Sequence, residues 1–472
     1  MALISACCEC ERLAIWPMSV TSLPESTTVL IVGAGPTGLT TALSLYHHGC
    51  RDFVIVDAVL EGNNTSRAHV IHAATLEALD SIESGSGLAE RGIKGNHISL
   101  RSRTAELACP SLDSLKKYTS HPYVLFIPQH IVEQAFVEKL ASLGVHIFRP
   151  KRVVGFRQSD RIDLATDVSF DDGSTVTAKY VIGADGARSV VRTSAGIGFR
   201  DPDGEIEAKH NLAQMILADV TFKGGVRFRA GMTGVMTPQS FFVCAPFPES
   251  FNMDLARNGQ EITNTICRIG CGVPISEGPP PSAPSKEFMQ NLINRFGPTY
   301  LSSDPTVNKT PVEIDQMVWS TRFRTHSAIA DTFFSRFQTN EEKEGGAILL
   351  VGDAAHIHSP AGGQGMNLGI RDAVFLGEAV AEHFRLYTAA TPLPSADVVL
   401  RNFADARKSR AVEVIGLTKG ILKMEGASYD TYLFGWIPIS PATVRDWVLW
   451  ALGKTRLVQG RLAWQVSGLG RR

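Results

Sequence analysis

No stretch of this chain stays apolar for the ~18 residues that a membrane-crossing helix needs, so no transmembrane anchor is expected. Charge of one sign is not in excess either. The formal net charge is −1, which gives no global field to attract nucleic acid or an anionic membrane. Cysteine is sparse: eight residues in 472 cannot make a disulfide scaffold, and they fit a reducing, cytoplasmic compartment. The opening MALISACC lacks a basic n-region and is interrupted at once by Glu9, Glu11 and Arg12, so no secretory signal is expected. Cys7, Cys8 and Cys10 cluster in a segment read as a flexible tail (1–26), with no second membrane signal to support lipidation. Cys267 and Cys271 have no second Cys/His pair at zinc spacing; they read as half-buried strand cysteines, and no metal site is expected. There is no internal repeat, and the Pro279–Pro284 run is one stiff loop.

What is present is an ordinary globular composition, 44% hydrophobic and 20% charged, in a chain long enough for two or three cores. Thr28–Val32 (TVLIV) reads as a buried parallel strand. It runs into GAGPTG, then a helical stretch ending near Gly49, then a second strand, Phe53–Val56, closed by Asp57. Gly33 makes the tight turn, Gly35 allows a pyrophosphate to approach the backbone, and Gly38 lets helix and strand pack closely. The helix N-terminus supplies N–H donors for phosphates. Asp57 lies 19 residues past Gly38 (57 − 38), where its carboxylate can accept from a ribose hydroxyl and would repel a 2′-phosphate. The site should therefore hold FAD or NAD rather than NADP.

Two later stretches carry further glycine-acid turns. FDDGSTVTA reads as a hairpin turning at Asp172-Gly173, followed by a strand over Tyr180–Ile182 with Asp185-Gly186 beyond its end. AILLVGDAAHIHSPAGGQGMNLGIRDA places Gly352-Asp353 at the end of a buried strand, Ile348–Val351, where open α/β sheets bind ligands. Gly362, Gly363 and Gly365 let the chain pass close to a flat ligand. With a helix expected from Leu368 onward, Met366 and Asn367 would offer backbone N–H groups at its N-terminus.

In this order and spacing the three stretches resemble the class A FAD-dependent aromatic hydroxylases, which include para-hydroxybenzoate hydroxylase and phenol hydroxylase. The resemblance spans about Val29 to about Arg410 and is weakest from Arg200 to Thr325. It implies an α/β fold: a Rossmann-like FAD-binding domain discontinuous in sequence, an inserted β-rich substrate domain and a helical C-terminal segment. The expected divisions are 27–199 and 341–400 for FAD, 200–340 mainly for substrate, and 401–472 for the C-terminal helices. By resemblance Gly33, Gly35, Pro36, Thr37 and Gly38 hold the FAD pyrophosphate and Asp57 the adenosine ribose. Arg67 lies near the phosphates and the nicotinamide cofactor, and Gln129 and Asp353 (with Gly352) meet the ribityl chain. Asp185 and Gly186, near Arg188 and Arg192, match a fingerprint tied to FAD and NAD(P)H. Pro360, Gly363, Gly365, Met366 and Asn367 match the surround of the flavin ring. His356 belongs to the GDAAH motif and reads as structural, and His358 is notable only for its nearness to the flavin.

The implied activity is NAD(P)H- and O2-dependent hydroxylation of an aromatic small molecule through a flavin C4a-hydroperoxide, with FAD held non-covalently. The organic chemistry belongs to the cofactor, so the lack of a Ser/His/Asp or metal constellation is no obstacle. Epoxidation or Baeyer–Villiger oxidation on the same scaffold remains the alternative. A flavin-free binding protein of this fold is disfavoured by the intact Asp57, Asp185 and Asp353. A disulfide reductase would need a second GxGxxG and paired redox cysteines, and a halogenase its Trp-x-Trp-x-Ile-Pro motif, of which GWIP (435–438) is only a fragment.

The sequence also departs from the family. Ala74 stands where members often have arginine, and Phe375 and Glu378 replace an Asn-Leu-x-Trp run, a change expected to repack the helix. The chain stops soon after the Gly-Asp motif, so the thioredoxin-like domain of the phenol hydroxylase branch is expected to be absent. In the substrate region NLAQMILADVTF, SFFVCAPF and MVWSTRF read as strands, with Phe241 and Phe242 on opposite faces. Ser285–Phe296 reads as an amphipathic helix. After Ser440-Pro441, a stripe of Val444, Trp447, Val448, Ala451 and Leu452 is expected to pack on its own chain, a homodimer contact or a membrane surface being the alternatives.

Overall fold

In the computed structural model, apolar β-branched runs build a central parallel sheet, as their composition requires. The structure describes residues 22–60, 68–204, 212–224, 226, 228, 231–237, 240–256, 259–324, 326–338, 344–388, 391–425, 441–453 and 455–471. Cys7, Cys8, Cys10, Arg67 and the 435–438 segment lie outside them. β1 (Ser26–Val32) pairs in parallel with β2 (Phe53–Val56) on one side and with the strand Thr175–Gly183 on the other. The sheet continues outward to Ala347–Leu350, with Phe334–Arg336 antiparallel at its edge, and on the far side to Ile147–Phe148. From β1 the chain first builds toward β2 and only later returns on the opposite flank. β1 and Thr175–Gly183 therefore flank a topological switch point, where such sheets bind ligands. The Asp172-Gly173 hairpin is present, with Gly173 at φ +82°.

The helix α1 (Pro36–His47) and the long helix Gln364–Thr388 pack closely on each other, helped by small residues: Ser44 Oγ donates to the Val374 carbonyl at 2.7 Å. A helix over Leu393–Glu425 runs straight through the expected division at 400. Polar contacts fix its start to the sheet. Arg336 makes two hydrogen bonds to Asp397 (2.5 and 3.1 Å), His383 Nε2 meets Asp397 at 2.9 Å, and its Nδ1 meets the Tyr180 hydroxyl at 2.7 Å.

A second sheet of seven strands runs in the order Ile314–Arg324, Leu212–Phe222, Cys267–Pro274, Ser240–Pro246, Met232–Thr237, Ile98–Arg101, Glu106–Ala108. Two of these strands come from before the Asp185-Gly186 turn. The outer face buries Ile216, Phe242, Cys267 and Cys271 under the helix Lys286–Phe296, whose Met289, Leu292, Ile293 and Phe296 are buried. Ser285 caps that helix by accepting from the Phe288 N–H at 3.2 Å. Because this helix covers the face, Cys267 and Cys271 are fully buried rather than half-buried. The inner face buries Met215, Leu217 and Phe241, with Trp319, Phe323 and Ile421 against them. Phe241 and Phe242 thus divide between the faces.

Two expectations about packing fail. Phe375 and Glu378 do not repack the interior; they point outward, and the Arg407 guanidinium lies 5.1 Å from the Phe375 ring centre. Nor do Trp447, Val448 and Ala451 of the apolar stripe on helix Pro441–Leu452 turn inward: Trp447 and Val448 are 61% and 47% exposed. The opposite side of that helix is the one seated, near Glu106–Ala108. A Cβ on Gly453 would lie 2.6 Å from Ala108 Cβ, too close for any side chain there. No described helix is long and apolar enough to cross a membrane.

Candidate functional site

The carboxyl ends of four parallel strands bring the sequence motifs to one edge: Gly33 after β1, Asp57 after β2, Asp185 after Thr175–Gly183, and Gly352 after Ala347–Leu350. The glycines divide by what surrounds them. At Gly33 (φ +104°) a Cβ would sit 2.4 Å from the Ala184 carbonyl oxygen, so the turn presses against the neighbouring strand end. At Gly38 it would sit 1.8 Å from the Gly33 carbonyl oxygen; this glycine is required by the turn itself rather than by helix–strand packing. At Gly35 a Cβ would meet nothing within 4 Å. That open cradle, at the N-terminus of α1 with Pro36 in its first turn, fits a pyrophosphate.

Thr37 locks the first motif to the third. A Cβ on Gly352 or on Gly369 would lie 2.6 or 2.5 Å from Thr37 Oγ1. Asp57 closes the turn as well, accepting the Ala34 N–H at Oδ2 (2.7 Å) and the Val59 N–H at Oδ1 (2.9 Å). Each oxygen keeps a further acceptor site for a ribose hydroxyl. Asp185 Oδ2 caps the helix Val190–Ser194 through the Val190 and Val191 N–H groups (2.7 and 3.1 Å), while its Oδ1 is buried with no hydrogen-bond partner among the described residues. Burial raises its carboxyl above the ordinary range. Gly186 (φ +82°) opens onto free space. Arg192 bridges two motifs by donating to the Ala354 carbonyl (2.8 Å) and the Ala187 carbonyl (2.9 Å).

Gln129 begins the helix Gln129–Ser142; its Oε1 accepts the Ala68 N–H at 3.4 Å and its Nε2 donates to Glu133 at 2.9 Å. Asp353 is exposed in a single helical turn, Gly352–Ala354. Beyond it, Pro360 precedes Gly362 and Gly363, both at positive φ (+75° and +62°), which turn the chain into the long helix. That helix starts at Gln364, four residues earlier than Leu368, because the double-glycine turn already sets its axis. Gly365 and Met366 therefore lie in its first turn, where N–H groups have no intrahelical acceptor. Asn367 follows, and its carboxamide is committed to the fold: Oδ1 accepts the His72 N–H (2.8 Å), and Nδ2 donates to the Val70 (2.9 Å) and Gly363 (2.7 Å) carbonyls.

His356 is tied into a buried network. Its Nε2 meets Asp372 Oδ2 at 2.6 Å, and Arg407 Nε donates to Asp372 Oδ1 at 2.8 Å. Burial alone would raise the Asp372 carboxyl, but the Arg407 charge and His356 outweigh it and hold it below the ordinary range. His358 donates from Nδ1 to the Ser359 carbonyl (2.8 Å), which leaves Nε2 as a buried acceptor without a partner among the described residues; burial pulls this imidazole down to about 4. Ala74 is contacted by Gly468, and Arg371 from the long helix lines the same small cavity with His72, Gln364 and Asn367. A cation is thus supplied there from a different element.

Several residues of the site were not singled out by the sequence. Arg149, just past the strand Ile147–Phe148, donates to the Ala34 carbonyl (3.1 Å) and has a buried Nε with no partner among the described residues. Beside it Glu133 is raised by burial despite the Arg149 charge. On the substrate side, Arg268 and Asp219 form a buried two-point ion pair (2.7 and 2.6 Å) on the inner face of the second sheet. The His69 ring lies 6.0 Å from that of Phe247, and burial, then the Arg268 charge, holds its imidazole well below the usual range. No motif announces these residues; each depends on strands far apart in sequence. Among the described residues no His/Cys/Asp/Glu group could hold a metal ion.

Comparison with known proteins agrees with this geometry. A rifampicin monooxygenase from Streptomyces venezuelae is 30% identical over 358 residues, 75% of this chain and 63% of its own length. The pentachlorophenol 4-monooxygenase of Sphingobium chlorophenolicum is 27% identical over 376 residues, 78% of this chain and 61% of its own. The chain therefore spans just under two thirds of these relatives. Among solved structures, p-nitrophenol 4-monooxygenase from Pseudomonas putida shares the fold, with a TM-score of 0.69 at 23% identity over 95% of this chain and 100% of that one. The family model described as an FAD binding domain matches residues 26–391. That match runs from the first residue of β1 to just past the long helix, so it takes in the whole gathered edge, and the chain belongs to the FAD-binding domain family.

Proposed function

We propose that the chain is an FAD-dependent monooxygenase that uses NAD(P)H and O2 to hydroxylate an aromatic small molecule. The observation that carries this reading is the convergence of all three fingerprints at one sheet edge, beside an apolar and aromatic sheet face. Bound FAD would accept a hydride from NAD(P)H and, once reduced, activate O2. The residues around it bind, orient and exclude water. The open cradle at Gly35 and the α1 N-terminus suit the pyrophosphate, Asp57 the adenosine ribose, and Gln129 and Asp353 the ribityl chain. The buried Oδ1 of Asp185 and Nε of Arg149 are polar atoms that a bound cofactor, or water held by it, would satisfy. With FAD bound, the N–H groups in the first turn of the long helix would favour negative charge placed against them by about 0.3–2 kcal/mol. Arg67 completes the proposal as the residue that meets the phosphates and the nicotinamide.

The relatives' names give rifampicin, pentachlorophenol and p-nitrophenol. A phenol is the substrate class that best suits the inner sheet face, where Phe241, Phe247, Trp319 and Phe323 supply apolar and aromatic surface. A phenol ionises near pH 10 in water, so its activation calls for an acceptor. His69 faces the sheet, and its neutral imidazole can accept a hydrogen bond from the hydroxyl, while burial and the Arg268 charge disfavour full transfer of the proton to it. The test is NAD(P)H consumption by the purified protein, with FAD and air, across phenols, aromatic acids and polyketides. Some aromatic should speed NAD(P)H oxidation at least tenfold and leave as a product one oxygen atom heavier. Uniformly slow oxidation with no oxygenated product would overturn the reading.

A further inference from the structure

The exposed stripe on the C-terminal helices has a specific chemistry. Helix Pro441–Leu452 turns Trp450, Trp447, Ala451 and Val448 outward, an arc of about 160° at 3.6 residues per turn, with no charged side chain among them. Trp447 and Trp450 are 61% and 57% exposed, and Leu457 at the start of the next helix (Arg456–Ser467) is 68% exposed. A monomer rarely leaves two tryptophans and a valine side by side on one helix face in water, with a further exposed leucine on the next helix, without use for them.

The sequence of this C-terminal segment is one-sided in charge. From residue 441 to 472 the sequence has six basic residues, Arg445, Lys454, Arg456, Arg461, Arg471 and Arg472, and one acid, Asp446. The segment thus carries +5 (6 − 1), and the rest of a chain of net −1 carries −6 (−1 − 5). The single acid is paired with its neighbour, Arg445 Nε donating to Asp446 Oδ1 at 2.8 Å, while Arg456 and Arg461 are exposed. The near-neutral total conceals this local cation.

We propose that the C-terminal helix pair is a docking surface for an anionic lipid bilayer. Tryptophan prefers the water–hydrocarbon boundary, where its ring is buried and its N–H stays wet. Valine and leucine enter the acyl layer while the arginines meet lipid phosphates. Attachment is to the surface only, since no described helix can cross. A symmetric dimer through the same face would bring Arg456 and Arg461 of two copies together, a like-charge arrangement that works against it.

The experiment uses the full chain with FAD, mixed with phosphatidylcholine vesicles with or without a third of phosphatidylserine. Binding is read by co-sedimentation and by the blue shift of tryptophan emission, and the oligomeric state by size-exclusion chromatography. Pelleting should be at least tenfold greater with the anionic vesicles and should be lost in high salt. Trp447→Ser with Leu457→Ser, and separately Arg456→Glu with Arg461→Glu, should each abolish it while leaving FAD content and melting unchanged. These four positions are exposed, so the variants should fold; two independent pairs guard against one failing. Absence of pelleting with anionic vesicles overturns the proposal, as does pelleting that both variant pairs retain. A dimer that Trp447→Ser with Leu457→Ser dissolves would assign the face to a second copy instead.

Discussion

At the scale of single residues, the glycines of GAGPTG show how far a motif can be read from letters. The sequence marks the turn and the glycine expected to face a ligand, and of the three motif glycines Gly35 has open space before it. It does not reveal that Gly38 is fixed by the Gly33 carbonyl, because that contact needs the turn's actual curvature. The two positions should respond oppositely. Gly35→Ser places a good helix cap at a backbone angle (φ −78°) that serine adopts freely, so apo-protein melting should hold. Its side chain fills the cradle, and FAD affinity should drop at least tenfold, about 1.4 kcal/mol. Gly38→Ala should instead cost the apo-protein roughly 1–3 kcal/mol by overpacking. Melting curves and FAD titrations of both variants check the pair; equal behaviour would mean that Gly35 does not face the ligand. His69 and Arg149 were illegible for another reason: their surroundings are assembled by Arg268 and Ala34, more than 100 residues away in each case.

Between elements, the strand that ends at Gly352 is joined to two helices by Asp372, His356 and Arg407. The GDAAH motif made His356 visible, but Arg407 has no motif, and only the fold brings it 35 residues back to Asp372. Helix positions also shift what a pattern means: Phe375 and Glu378 break the family's run, yet both stand on the partly exposed side of the long helix. Replacing Asp372 with asparagine leaves the Arg407 charge buried without its counter-charge and should cost about 3–5 kcal/mol at pH 7. The sign of the pH dependence follows from the depressed folded-state pKa. The carboxylate's contribution is complete above the unfolded value of about 3.9 and is lost as pH falls through the lower folded value. Asp397, held down to about 2 by its hydrogen bonds to His383 and Arg336 against the opposing effect of burial, adds to the same acid limb. Urea unfolding between pH 7 and pH 3 should therefore show the gap between wild type and Asp372→Asn narrowing by roughly 1 kcal/mol at the acid end, the contribution lost over the stretch below about pH 3.9. Parallel curves would remove the ionic role.

For the whole molecule, apolar runs and glycine turns mark the individual buried strands, because parallel strands are nearly continuous hydrophobic runs, while the joining of those strands into one discontinuous Rossmann-like domain came from the family resemblance. The second sheet was harder to delimit. It borrows Ile98–Arg101 and Glu106–Ala108 from before the Asp185 turn, and pairing across such distances leaves no mark in local pattern. The C-terminal stripe was legible as a stripe, but its direction was not, since periodicity alone does not say which face meets water. What the account rests on most heavily is that the gathered strand ends form an FAD site, with Asp353 gripping the cofactor rather than shaping its own loop. The decisive measurement is FAD titration of the apo-protein, followed by flavin fluorescence quenching, for wild type and Asp353→Ala, with apo-protein melting recorded for both. Saturation is expected at one FAD per chain, with a 10- to 150-fold weaker variant, from a charge-assisted bond of about 1.5–3 kcal/mol, and unchanged apo melting. A protein that takes up no FAD would contradict it, as would an Asp353→Ala variant that melts earlier without FAD yet binds FAD as tightly as wild type.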